Sequence, residues 1–236
     1  MKTELQAAKN WDQNWLTADE IFQGVLMVIK HEKLHFINLI NRLPEREYLL
    51  SMISYGTAPT IREEKPSSLM TFTKNGKNLY NLWNTYKSEV GKELDLEFIE
   101  FNKKSNSVRV LFYKRKQLEE CIYKKECRDF LNRVGYGKLM TLEACLSRLK
   151  QRFERVCPHE IGIFLGIPVE DVVGFIKYRG ENSILCSYWK VYHNPDVART
   201  LFEKYDKARE DIRRAIKDKY QYGQVDNLVV EYAVAL

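Results

Sequence analysis

Residues 94–113 run Leu94-Asp-Leu-Glu-Phe-Ile-Glu-Phe101, Asn102-Lys-Lys-Ser-Asn-Ser107, Val108-Arg-Val-Leu-Phe-Tyr113. Two apolar runs of strand length, one alternating and one nearly continuous, flank a polar loop, which predicts a β-hairpin. Working toward the N-terminus, Leu69-Met-Thr-Phe72 reads as a further short strand and Lys74-Asn-Gly76 as a turn. Between that turn and the hairpin, Leu79, Leu82, Trp83 and Tyr86 recur at helical spacing over 77–90. Gly56-Thr-Ala-Pro59 and Glu63-Glu-Lys-Pro-Ser-Ser68 break the pattern as loops, and 45–56 reads as helix. Thr17-Ala-Asp-Glu20 has capping-box spacing, opening a helix toward Arg42.

On the C-terminal side, helices are expected at 115–133, 141–155, 158–165 and 168–178, then a strand over Ser183–Tyr192 carrying Trp189. Asn194-Pro195-Asp196 combines a capping side chain, a first-turn proline and an acid near the positive dipole end. The helix it opens carries an apolar stripe of Val197, Leu201, Tyr205, Ala208, Ile212 and Ile216. A last strand is expected over Leu228–Ala235. This order predicts an α+β fold: a small, mostly antiparallel sheet backed by several helices, with a ferredoxin-like core as the guess. Residues 1–50 read as an N-terminal helical extension and 51–236 as the α+β domain.

The chain has 236 residues, 44% hydrophobic, with a net charge of +6. It holds no apolar run near the roughly 18 residues that span a bilayer. Its polar first residues show no signal-peptide core, so a cytoplasmic, membrane-free protein is expected. Five cysteines without a CxxC pair argue against a disulfide framework or a Cys-only zinc site. The basic run Tyr113-Lys-Arg-Lys116 is interleaved downstream with Glu119, Glu120 and Glu126, which reads as a solvated helix face.

The segment Cys157-Pro-His-Glu-Ile-Gly-Ile-Phe-Leu-Gly-Ile-Pro-Val-Glu-Asp-Val-Val-Gly-Phe-Ile176 resembles the signature of family 3793 among the domains of unknown function, from anaerobic bacteria. Thr141-Leu-Glu-Ala-Cys145, Tyr188-Trp-Lys-Val-Tyr192 and Asn194-Pro195 resemble it too. Before Ala58-Pro-Thr60 the family usually carries a Cys, where this chain has Thr57. The resemblance spans about residues 50–220 and implies a shared fold without an established activity.

Four constellations could carry chemistry. With Pro158 as first helical residue, Cys157 caps a helix whose opening turn holds His159 and Glu160. A thiol, an imidazole and a carboxylate there are catalytic candidates, suited to an oxyanion, a metal or proton transfer. The ordinary reading is a cap made by Glu160. In the strand Ser187–Tyr192, alternation sends Tyr188 and Lys190 to one face and Trp189 to the other, and these three are the cofactor-binding candidates. His31-Glu32-Lys33-Leu34-His35 matches the zinc-protease pattern, making His31, Glu32 and His35 metal candidates. Gly162 and Gly166 give residues 160–172 a helix-turn-helix rhythm, but Glu170 and Asp171 at the start of its second helix would repel a nucleic-acid backbone.

The function expected from these features is a cytoplasmic ligand- or cofactor-binding accessory protein or enzyme of anaerobic metabolism. A small molecule is the expected partner, and a metal, haem or redox group is the cofactor class. The alternatives are a helix-turn-helix nucleic-acid regulator, which the acidic residues disfavour, and a zinc hydrolase built on His31 and His35.

Overall fold

The computed structural model describes residues 31–101, 105–137, 141–154 and 157–221, with side chains from residue 36 to residue 220. The expected capping box at Thr17 and strand over 228–235 lie outside the described residues. The chain runs α1 (His31–Ile40), α2 (Glu45–Gly56), α3 (Ala58–Ile61), β1 (Ser67–Thr73), α4 (Leu79–Glu93), β2 (Glu97–Phe101) and β3 (Ser107–Tyr113). It continues with α5 (Arg115–Ile122), α6 (Lys125–Arg133), α7 (Leu142–Phe153), α8 (Ile161–Phe164) and α9 (Val169–Lys177). A small hairpin, β4 (Leu185–Cys186) and β5 (Lys190–Val191), precedes the long α10 (Pro195–Gln221). The fold is α+β.

The sheet order is β1-β3-β2, and β3 is antiparallel to both neighbours, with Leu69 and Ile99 opposite Leu111. This is the split β-α-β half of a ferredoxin-like sheet; among the described residues no fourth strand joins it. Helices cover both faces. Val108, Val110 and Phe112 enter one core with Phe72 and Trp83, while Leu111 and Tyr113 enter a second with Phe101 and Phe153. The strand period of two therefore divides β3 between two cores, and its near-continuous apolar reading follows from burial on both sides.

The first core is aromatic. The Trp83 ring stacks on Phe72 at 5.1 Å and meets Phe98 and Phe112 edge-on at 4.8 and 5.3 Å. Its indole N–H donates to Glu100 Oε1 at 2.8 Å, which satisfies the polar edge of a fully buried ring. Phe36 and Ile40 of α1 and Leu49 and Leu50 of α2 belong to this same core, together with Ile212 and Ile216 of α10. The division drawn at residue 50 falls inside α2.

Several expected elements are altered. Residues 115–133 form two helices: α5 ends at Ile122 with Tyr123 as its C-cap, and Lys124 (φ −54°, ψ 141°) leaves the helical conformation before α6 begins. Ala58–Ile61, expected to be loop, makes one helical turn with Pro59 near its start. In α10 the buried stripe begins at Ala198 and Phe202, and Val197 is 57% exposed. The β4–β5 hairpin covers that side of the helix, with Val191 and Trp189 against Ala198 and Phe202, and it selects the inward face.

Candidate functional site

Cys157 does not cap a helix that begins at Pro158. The N–H groups of Ile161, Gly162 and Ile163 bond to the carbonyls of Pro158, His159 and Glu160 at 3.0–3.1 Å, a tight turn, and α8 starts at Ile161. α8 crosses α9 closely: a Cβ on Gly162 would lie 2.7 Å from Val172 Cγ2. Glu160 makes no capping bond and turns inward, where it is 2% exposed. Tyr136 Oη donates to its Oε1 at 3.2 Å, Arg152 Nη2 donates to its Oε2 at 3.3 Å, and Arg152 Nε pairs with Oε1. The carboxylate thus binds α7 to α8. The His159 ring lies edge-on to Phe175 at 5.8 Å. Burial pushes its imidazole below the ordinary value, with Glu160 opposing and Arg152 reinforcing.

Among the described residues no group of three or more His, Cys, Asp or Glu side chains is arranged to hold a metal ion. The His31, Glu32 and His35 side chains lie outside the described residues, although α1 carries their backbone.

Residues 183–192 form a hairpin where a single strand was expected. Ile184 N–H donates to Val191 O at 2.8 Å and Ser187 N–H to Trp189 O at 3.2 Å, so Tyr188 and Trp189 sit in the connecting turn. Simple alternation therefore does not sort their side chains. Asp171 decides the geometry. It is only 1% exposed. Its Oδ2 accepts the Trp189 indole N–H at 2.7 Å, and its Oδ1 accepts the backbone N–H groups of Tyr192 and His193 at 2.7 and 2.9 Å. Lys190 Nζ donates to Gly180 O at 2.6 Å, which ties the hairpin to the end of α9.

Tyr188 leads to a different cluster, built on the middle of α10. Its hydroxyl donates to Asp206 Oδ1 at 2.6 Å and accepts from Arg209 Nη1 at 3.1 Å. The Arg209 guanidinium lies over the Tyr188 ring at 4.7 Å and near the Tyr55 ring at 5.9 Å. Its Nε is buried without a hydrogen-bond partner among the described residues. Lys65, from the loop between α3 and β1, brings its amine to 5.9 Å from the Tyr205 ring centroid. Tyr205 in turn packs edge-on against Tyr188 at 5.1 Å. Burial, and then the Arg209 charge, push the Lys65 amine down to about 7. Burial pushes the Tyr205 phenol up to about 12 and raises those of Tyr55 and Tyr188.

Two cationic side chains thus share a surround of three tyrosines drawn from α2, the hairpin and α10. Sequence reasoning named Tyr188 and missed Lys65, Tyr55 and Arg209. The helical spacing of Tyr205 and Arg209 was the one available signal, since residues four apart share a face. Nothing local marks Lys65, which sits in a breaker segment.

The basic run around Lys114–Lys116 lines a cleft of about 390 Å³ with Lys92, Asp95 and Glu97. Lys114 pairs with Asp95 at 2.5 Å, and Arg115 with Glu97 at 2.8 Å and Glu143 at 2.6 Å, so much of its charge is internally matched. No described helix is long and apolar enough to cross a membrane.

A family model described as a protein of unknown function (DUF3793) matches residues 53–225. No curated protein matches the chain, and no solved structure does.

Proposed function

We propose that this chain, which belongs to the DUF3793 family of proteins of unknown function, binds a small organic anion between Lys65 and Arg209. The supporting observation is the Arg209 Nε, a buried donor with no partner among the described residues, beside a lysine whose charge burial and Arg209 disfavour. A buried donor left unmatched is costly, and a carboxylate or phosphate oxygen would satisfy it. The same oxygen would restore the Lys65 ammonium, since an opposite charge at close range favours the charged form. Tyr55, Tyr188 and Tyr205 supply aromatic walls for the organic part of the ligand. This reading keeps the ligand-binding role expected from sequence and keeps Tyr188 within it. It moves the centre of the site from Cys157, His159 and Glu160 to the α10 cluster.

The test is thermal unfolding of the full chain with benzoate and with inorganic phosphate at pH 6. At least one of these anions should raise the midpoint of the native chain in a saturable way, as any ligand of the folded state does. Arg209→Gln should abolish the shift. An unresponsive native chain, or a variant that responds equally, would remove the proposal.

A further inference from the structure

An arginine head carries five N–H donors in one plane, and those on Nε and Nη2 lie parallel along one edge. Two arginines of this protein have that edge filled by a carboxylate of the chain. Arg115 Nε and Nη2 donate to the two oxygens of Glu97 at 2.8 and 2.9 Å. Arg213 Nε and Nη2 donate to the two oxygens of Glu210 at 2.8 and 2.6 Å.

On Arg209 the same edge is open. Its Nη1 is occupied, donating to Tyr188 Oη at 3.1 Å, while that hydroxyl donates to Asp206 Oδ1 at 2.6 Å. Its Nε is buried with no acceptor, and among the described residues nothing accepts from Nη2 either. The carboxylates nearest to it along α10 are engaged elsewhere: Asp206 by Tyr188, and Glu210 by Arg213 and Arg214.

We propose that the ligand of this site is a flat monocarboxylate with an aromatic body, held side-on by Arg209 Nε and Nη2. This rests on the anion-binding reading above and narrows it from anions at large to one head-group geometry. The guanidinium carbon lies 4.7 Å from the Tyr188 ring centroid and 5.9 Å from that of Tyr55. Aromatic faces carry partial negative charge and repel the oxygens of an anion. An acceptor is therefore favoured in the plane of the guanidinium and disfavoured above the rings. A carboxylate is planar and places both oxygens in that plane, as Glu97 and Glu210 do on their arginines. A sulfonate or phosphate is tetrahedral and carries at least one oxygen out of it. Asp206, held at the Nη1 corner through Tyr188, adds a fixed negative charge that penalises a second charge on the ligand.

The experiment is calorimetric titration of the full chain at pH 6 with benzoate, benzenesulfonate and inorganic phosphate. Benzoate and benzenesulfonate share one ring and one negative charge and differ in the shape and basicity of the head group. The native chain should bind benzoate tighter than benzenesulfonate by about tenfold or more. Arg209→Lys keeps the positive charge and removes the parallel donors. It should weaken benzoate by about tenfold or more and benzenesulfonate by less, so that the preference shrinks. A preference that arose from basicity alone would survive this change. Equal affinities in the native chain, or a preference left intact in Arg209→Lys, would overturn the side-on geometry. Binding of phosphate or benzenesulfonate without benzoate would remove this inference and leave the anion-binding reading standing. Binding of none of the three would remove both.

Discussion

The Asp171 carboxylate receives the indole N–H of Trp189 at 2.7 Å, and through that bond the β4–β5 hairpin is locked to α9. Its other oxygen takes two backbone donors from the chain leaving the hairpin, so one buried side chain satisfies three N–H groups. Asp171→Ala strands all three and should destabilise the protein by about 3 kcal/mol in urea unfolding, given about 1.5–3 kcal/mol for a hydrogen bond to a charged group and incomplete additivity. Hydrogen exchange at the Tyr192 and His193 amides should accelerate in the same variant. An unchanged unfolding midpoint would dismiss the latch.

Gly162 is where α8 and α9 touch. Its absent Cβ would meet Val172 Cγ2 at 2.7 Å, and a β-branched side chain has little rotamer freedom with which to retreat. Gly162→Ala should cost about 1–3 kcal/mol through overpacking. Adding Val172→Ala should recover part of that loss, so the double-mutant cycle should show favourable coupling between the two changes. Additive costs would mean that the crossing is looser than the geometry indicates.

Lys65 should make stability depend on alkaline pH. Its amine sits at about 7 in the folded chain against an ordinary 10.5. Below about 7 the amine is protonated in both folded and unfolded chains, and burying its charge costs the fold the most there. Between 7 and 10.5 the folded chain sheds that proton first and the cost fades; above 10.5 it is gone. Lys65→Met should therefore stabilise the chain at pH 6, on the order of a few kcal/mol, and should lose that advantage by pH 10.5. Denaturant midpoints of the two chains at both pH values give the comparison, and a pH-independent difference would refute the assignment.

If the proposed anion site is right, the same amine should set the pH profile of binding. Below about 7 the free site already carries the ammonium, so affinity for benzoate should be nearly flat. Above 7 the free site must take up a proton to bind, and affinity should fall by as much as tenfold per pH unit until the bound-state value is passed. Calorimetric titration in buffers of different ionisation enthalpy should show proton uptake near pH 8. Binding without uptake would place the anion away from Lys65.

Much of the fold was legible along the chain. The hairpin at 94–113 and the strand near Leu69–Phe72 give the sheet, because side-chain alternation is a local property that survives into the structure. The start of α10 at Pro195 and the helix carrying Trp83 were legible for the same reason. The site was less so. Cys157, His159 and Glu160 carry ligand-type side chains, but Glu160 is engaged by Arg152 and Tyr136, partners 8 and 24 residues away. Tyr188 was one of the binding candidates read from the sequence, while Lys65 and Arg209 come from segments whose local patterns say only loop and charged helix face.

What the sequence alone determined about this protein is its α+β order of elements and its membership in an uncharacterised family. Both rest on short-range patterns of apolar spacing, capping and turn residues. The tertiary structure decided which charges are buried and what they meet: Asp171 against Trp189, Glu160 against Arg152, Lys65 beside Arg209. Solvent exposure and through-space charge set how each of these groups behaves. Both quantities arise only when segments far apart in the chain pack together, so no local window of residues contains them.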